Sequence, residues 1–256
     1  MNRKQFFPFV FFMVLAGSLS AQGDLGIHQP VNLVTIPTAG ILPRGSYAVD
    51  CHLFPGGGLA GKISVGVFER FMFGVSYGGG GIIGNQKINW YNQPGVEIKY
   101  RFIEESVKFP ALLVGFSSQG HGNYIDSLKR YETKASGFYV VVSKNFNFLG
   151  NLGLHGGINY NPIEKTDGDA DPNFFLGIDK DLNSEIALII EYDAALNDNH
   201  TELPLLGKGW GYLNAGVRWR LVDKFTVELD FNNILLNRKD VDFMNRELKF
   251  TFTEIF

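Results

Sequence analysis

The feature that most constrains this chain is a rhythm in its connections. From Tyr47 onward, short stretches alternate apolar and polar side chains residue by residue, the period of a β-strand with two unlike faces. The clearest runs from Gly95 to Phe102, with Val96, Ile98, Tyr100 and Phe102 on one face and Glu97, Lys99 and Arg101 on the other. Short turns are read at 69–70, 103–108, 146–151, 180–183 and 222–224. Long or polar loops are read at 78–93, 119–135, 161–171, 194–209 and 232–245, with the turn at Pro55 counted among the longer connections. Short and long connections therefore take turns down the chain. A soluble sandwich imposes no such order, whereas an up-and-down barrel gathers its short turns at one rim and its long loops at the other. The expected fold class is all-β: an antiparallel up-and-down transmembrane β-barrel of about 12 strands spanning residues 46–256. An even strand number puts both termini at the rim with the short turns.

The final stretch, Arg246 to Phe256, closes that barrel. Leu248, Phe250, Phe252 and Phe256 alternate with Lys249, Thr251 and Thr253. A chain ending on such a strand, with a terminal aromatic, resembles the C-terminal assembly signal of bacterial outer-membrane β-barrels. That resemblance implies insertion by the barrel assembly machinery through Arg246–Phe256. It also implies a surrounding of outer-membrane lipid and lipopolysaccharide in a diderm bacterium.

The N-terminus agrees. Arg3 and Lys4 precede an apolar run, Phe6 to Leu19, and Ser18, Ser20 and Ala21 supply small residues at a cleavage site. Residues 1–21 read as a signal peptide, because the run is too short to span a membrane as a helix. Residues 22–45 contain Pro30, Pro37 and Pro43 and read as a pre-barrel segment, since proline is excluded from central strands. It either lies in the periplasm, where it would be a simple linker, or tucks into the lumen; its Leu33, Val34, Ile36, Ile41 and Leu42 favour packing against something, which makes it the candidate plug of a narrow or partly obstructed lumen.

The uniformly apolar face of each strand should meet lipid, because Lys or Arg there costs about 2–4 kcal/mol at mid-membrane. The polar face then lines the interior. This assigns Asp50, His52, Glu97, Lys99, Arg101, His155 and Asp179 to the lumen. It assigns Glu185, Glu191, Arg218, Arg220, Glu228, Asp230 and Lys249 there as well. Cys51 falls on the lipid face, and Trp90, Trp210, Tyr212 and Trp219 fall near strand ends, where interfacial aromatic girdles form. One cysteine excludes an intramolecular disulfide framework. A net charge of −3 without clustered basic residues argues against nucleic-acid binding.

Chemistry-bearing motifs are weak. Ser117, Ser118 and His121 have the wrong spacing for a barrel lipase, so no enzymatic activity is expected. Asp167, Asp169 and Asp171 form D-x-D-x-D in a long loop, but Pro172 and Leu176 stand where a calcium loop needs Gly and Glu. They are a weak candidate metal site and read first as a solvated turn. No cofactor is expected.

The stretch LVTIPTAGILPRGSYAVD, through Pro37-Thr38-Ala39 and Leu42, together with PGVEIKYRF at 94–102, resembles the start of YjbH-type outer-membrane proteins associated with exopolysaccharide production. The implied function is a porin-like conduit or accessory protein for polysaccharide or small solutes, acting as a monomer. The alternative is a non-conducting structural or adhesion barrel whose long loops bind partners.

Overall fold

The computed structural model describes residues 29–199 and 207–256, together with the backbone of Ser20 and Ala21. Twelve antiparallel strands form the wall. They are β1 Ser46–Phe54, β2 Gly58–Phe68, β3 Phe71–Gly80, β4 Gly95–Ile103, β5 Ala111–Ser117 and β6 Gly137–Asn147. The second half comprises β7 Asn151–Tyr160, β8 Asn173–Asp181, β9 Ile186–Asp193, β10 Tyr212–Val222, β11 Phe225–Asn232 and β12 Asn245–Ile255. Each strand pairs with its sequence neighbour, and β12 pairs with β1, Phe250 opposite Cys51 and Ile255 opposite Ser46. The sheet thus closes, and no wall strand leaves its backbone groups unpaired along an edge. At the seam, Tyr47 stacks on Phe256 with ring centroids 6.0 Å apart.

The alternation read from the sequence is the alternation of the wall. Ile63, Phe73, Tyr100, Phe138, Leu176 and Ile190 point outward and are exposed on an apolar exterior, the form a barrel takes in lipid. Their neighbours point inward and are buried. The β-bulges at 66–68, 101–103 and 220–222 fall beside turns at the rim carrying the termini, where they end the pairing.

Several expectations need correction. The turn Pro55–Gly57 is as short as those at the opposite rim, because Gly56 and Gly57 both take positive φ and reverse the chain at once. The loop at 119–135 is not irregular: His121–Ile125 and Arg130–Thr133 pair as a hairpin. Asn89–Trp90 adds a short pairing to the end of β3, and Leu196–Asp198 forms a 3-10 turn. Tyr212 does not join an outer girdle; it is buried facing inward, and its hydroxyl donates to Asp198 Oδ2 at 2.5 Å. Trp90, Trp210 and Trp219 are exposed. The expected signal peptide, apart from Ser20 and Ala21 opposite Asn147 and Phe146 at the end of β6, lies outside the described residues, as do residues 22–28.

The main buried cluster lies inside the barrel. Leu33, Val34, Ile36, Ala39, Ile41 and Leu42 pack against inward side chains of the wall, chiefly Met72, Leu113, Val141, Phe175 and Ile189. Residues 29–45 therefore occupy part of the lumen.

Candidate functional site: the lumen and its hairpin

Residues 29–45 fold as a hairpin entering from the rim that carries the termini. Gly45 is bonded at that rim to Gly66, and Gln29 Nε2 donates there to Glu105 Oε2 at 2.5 Å. The turn closes by Leu33 N–H to the Ile36 carbonyl at 3.0 Å, and Thr38 N–H returns to the Val31 carbonyl at 3.2 Å. The two arms touch so closely that a Cβ on Gly40 would stand 2.2 Å from the Pro30 oxygen, which only glycine avoids. The prolines suit this segment because its backbone bonds go to the wall rather than to a ladder.

At the tip, three successive N–H groups converge on one carboxylate. Glu191 accepts from Val34 at 2.9 Å, Thr35 at 2.9 Å and Ile36 at 3.2 Å. Thr35 Oγ1 at 2.5 Å and Asn214 Nδ2 at 2.8 Å complete its shell. Consecutive amides in a turn make an anion cradle, here filled by the wall itself. Cations take the hairpin's carbonyls. Lys99 donates to the Val31 carbonyl, to Asn32 Oδ1 at 3.2 Å and to the Thr38 carbonyl at 3.3 Å. Arg101 Nε donates to the Ala39 carbonyl at 2.9 Å, and Arg218 Nη2 to the Asn32 carbonyl at 3.1 Å. Buried backbone groups of a non-strand segment are thereby satisfied by charge-assisted bonds.

A further anchor runs through the wall. Ala39 N–H donates to Ser143 Oγ at 2.9 Å, Ser143 bonds His155 Nδ1 at 2.8 Å, and His155 Nε2 bonds Asp179 Oδ1 at 2.6 Å. Serine, histidine and aspartate in sequence have the residue types of a hydrolytic triad. Here the serine oxygen already accepts the hairpin's amide, and all three side chains are buried beneath it. The chain works as a latch for the hairpin.

Beside the hairpin the lumen holds a cavity of about 700 Å³. It reaches from the rim with the termini, at Asp223, Lys224 and Glu254, up to His52 and His121. Its charges are matched. Lys62 pairs with Glu97 at 2.5 Å, Lys249 with Glu228 at 2.5 Å, and Arg218 with the same Glu228. His52 meets Glu247 at 2.7 Å, and Asp50 accepts from Thr251 at 2.6 Å.

The opposite rim is capped. The 121–133 hairpin and neighbouring loops are tied by buried ion pairs: Arg130 to Asp167 at 2.8 Å and Asp198 at 2.7 Å, Lys134 to Asp167 at 2.8 Å, and Arg238 to Glu132 at 2.7 Å. Glu164 accepts the amides of Tyr131 and Ala135, each at 2.7 Å; burial raises its pKa, against the pull of those two bonds. Burial lowers the Arg130 pKa, but Asp198 and Asp167 more than offset this and leave it raised. His121 joins cap to hairpin: it bonds the Thr35 backbone, and its ring lies 6.4 Å from His52. Burial first, and His52 second, hold its imidazole down to about 4.

Most residues assigned to the lumen from sequence meet in this assembly. Glu97, Lys99, Arg101, Glu191, Arg218, Glu228 and Lys249 surround the hairpin and cavity, Asp50 and His52 line the cavity, and His155 and Asp179 form the latch. Asp230 is buried beside Gly216. Glu185 departs from the assignment, and Arg220 lines the cavity only at its mouth. Both are exposed at the rim, because β9 begins only at Ile186 and Glu185 belongs to the preceding turn, where its carbonyl accepts the Arg220 amide. Asp167 and Asp169 are not a solvated turn: Arg130 and Lys134 neutralise Asp167, and Asp169 Oδ2 accepts the Asn199 amide at 2.9 Å. Asp171 is exposed. Lys62, Ser143, Asn214 and Glu247 belong to this assembly although the sequence reading passes over them. For Lys62 and Glu247 the alternation of β2 and β12 was signal enough, since both fall on the polar phase.

No protein-family model and no curated protein sequence matches the chain. Among solved structures it is similar to the KdgM porin, at 9% identity and a TM-score of 0.49 over 81% of this chain and 98% of that one. It is also similar to an outer-membrane channel from Pseudomonas putida F1, at 11% identity and a TM-score of 0.37 over 91% and 100% of the two chains. A third likeness is to the translocator domain of the autotransporter NalP from Neisseria meningitidis, at 12% identity and a TM-score of 0.38 over 82% and 86%.

Proposed function

We propose that this chain is an outer-membrane conduit for small solutes, held shut by its own N-terminal hairpin. The observation that carries the reading is the seating of the hairpin tip, three consecutive amides on the Glu191 carboxylate. A lumen with no traffic could be filled by wall side chains alone. This one is filled by a separate segment, held through hydrogen bonds that can be exchanged for water, beside a cavity that reaches the rim. The rim with the termini is then periplasmic and the capped rim extracellular. Monomeric insertion through Arg246–Phe256 and a role connected with polysaccharide, as the YjbH-type resemblance implies, belong to the same proposal.

The test is solute uptake by proteoliposomes. Glu191→Gln keeps the shape but weakens the charge-assisted bonds at the tip, each worth about 1.5–3 kcal/mol. The variant should admit a neutral osmolyte several-fold faster than the unaltered chain. Equal rates, with faster amide exchange at Val34–Ile36 proving that the hairpin had loosened, would contradict the plug.

One observation favours a second reading, the non-conducting adhesion barrel: the extracellular loops form a cap cross-linked by buried ion pairs rather than open arms. A rigid cap suits a binding surface. That reading predicts no uptake by either protein.

A further inference from the structure

We infer that the chain makes an isopeptide bond inside its own lumen, joining Lys99 Nζ to Asn32 Cγ with Glu97 as proton carrier. The bond fastens one arm of the hairpin covalently to β4. It leaves the tip, from Leu33 to Ile36, to its hydrogen bonds with Glu191.

Three side chains meet where the hairpin crosses β4. Asn32 Oδ1 accepts from Lys99 Nζ at 3.2 Å, which sets a carboxamide against a primary amine. The other acceptors of that amine are the Val31 and Thr38 backbone carbonyls. Attack on either would cut the chain, whereas attack on Asn32 expels only ammonia. Glu97 stands two residues before Lys99 on the same face of β4, and the Asn32 side chain reaches its carboxylate. Nucleophile, electrophile and proton carrier are therefore in one place.

The surroundings favour the reaction. Lys99 is fully buried, with Met72 opposite it on β3 and Gly115 opposite it on β5, where the Tyr139 ring closes over the glycine. The ion pairs of the lumen take Lys62, Arg218 and Lys249 and leave Lys99 without one among the described residues. Its charge rests on neutral oxygens alone. A buried ammonium without a counterion is costly, and conversion to an amide removes it.

The step balances without a co-reactant. Glu97 takes a proton from the Lys99 ammonium, and the Nζ lone pair attacks Asn32 Cγ to form the new C–N bond. Glu97 passes that proton to Asn32 Nδ2 and takes the next one from Nζ. The Cγ–Nδ2 bond breaks, and ammonia leaves with the second proton as ammonium, carrying away the charge of Lys99. Asn32 and Glu97 both line the cavity, which opens its way out.

The experiment is mass spectrometry of the full mature chain, refolded in detergent, intact and after digestion. The expected result is a chain lighter by one ammonia and a branched peptide joining Asn32 to Lys99, neither of which forms in a chain kept unfolded. Lys99→Arg should give no branched peptide. Glu97→Gln should slow its formation by about a hundredfold, as for loss of a general acid–base group. Heat-dependent gel mobility shows that both variants are folded. No branched peptide from the folded unaltered chain would overturn the inference, as would equal rates in Glu97→Gln or in the unfolded chain. An ammonia loss matched in Lys99→Arg would come from Gln22 at the mature N-terminus and would overturn it too. The conduit reading fails separately: a chain without its hairpin that passes no current would sink the conduit and leave the bond standing.

Discussion

Glu191 and His121 both meet the hairpin tip at Thr35, and their chemistry differs. Glu191 sits among five donors, so its charge is the reason the tip stays seated. His121 is held neutral, and that makes the contact between cap and hairpin depend on pH. Its pKa falls from 6.5 to about 4 in the closed cap, chiefly through burial, with His52 and Lys249 adding repulsion and Glu247 opposing them. A histidine depressed in the folded state takes up its proton more readily when the cap is open. Its contribution is therefore complete above about 6.5 and is lost as the pH falls towards 4. Glu164 acts with the opposite sign: its raised pKa makes the closed cap gain as the pH falls through that value. The histidine window lies within ordinary acidification. Relative to the intrinsic rate of amide exchange at each pH, protection in the cap, at 121–133, should fall about tenfold or more between pH 6.5 and 4 while the wall stays protected. His121→Asn should flatten that profile. A cap equally protected, relative to the intrinsic rate, at both ends of the range would contradict the assignment of His121 as the joint.

At the scale of elements, each strand separates lipid from lumen, and the hairpin decides what the lumen side must be. Gly177 on β8 shows the fit: a Cβ there would stand 2.3 Å from Leu33 Cδ1 and 2.9 Å from Ile36 Cδ1. Gly177→Val should therefore push the hairpin from its seat while leaving the strand pairing of β8 unchanged. Uptake or conductance should rise, with heat-dependent mobility unaltered; a rise in neither would show that the hairpin yields without leaving. The alternation in β4 or β12 was legible in sequence because lipid on one side and charge on the other leave little freedom. The rule that inward means polar hid the rest. Leu112, Leu113 and Val114, and likewise Tyr139 to Val142, are apolar on both phases. A strand buried on both faces reads that way, and those runs were the sign of a filled lumen. The latch was illegible for another reason: Ser143 and His155 meet only through the pairing of β6 with β7. The ion pairs of the cap join loops far apart in sequence, so a D-x-D-x-D run gave no hint that its first carboxylate belongs to Arg130.

At the scale of the whole molecule, the barrel is a closed wall around a divided interior. One side is packed with the hairpin and apolar side chains, and the other is a charge-balanced cavity beneath a cap. Closure of β12 on β1 satisfies the backbone of the wall, and the inserted hairpin fills part of the space inside it. The most direct test is single-channel conductance in a planar bilayer of the refolded full mature chain beside a chain lacking residues 22–45. The account predicts near-silence from the first and steady openings from the second. Silence from both, or the same steady conductance from both, would contradict it.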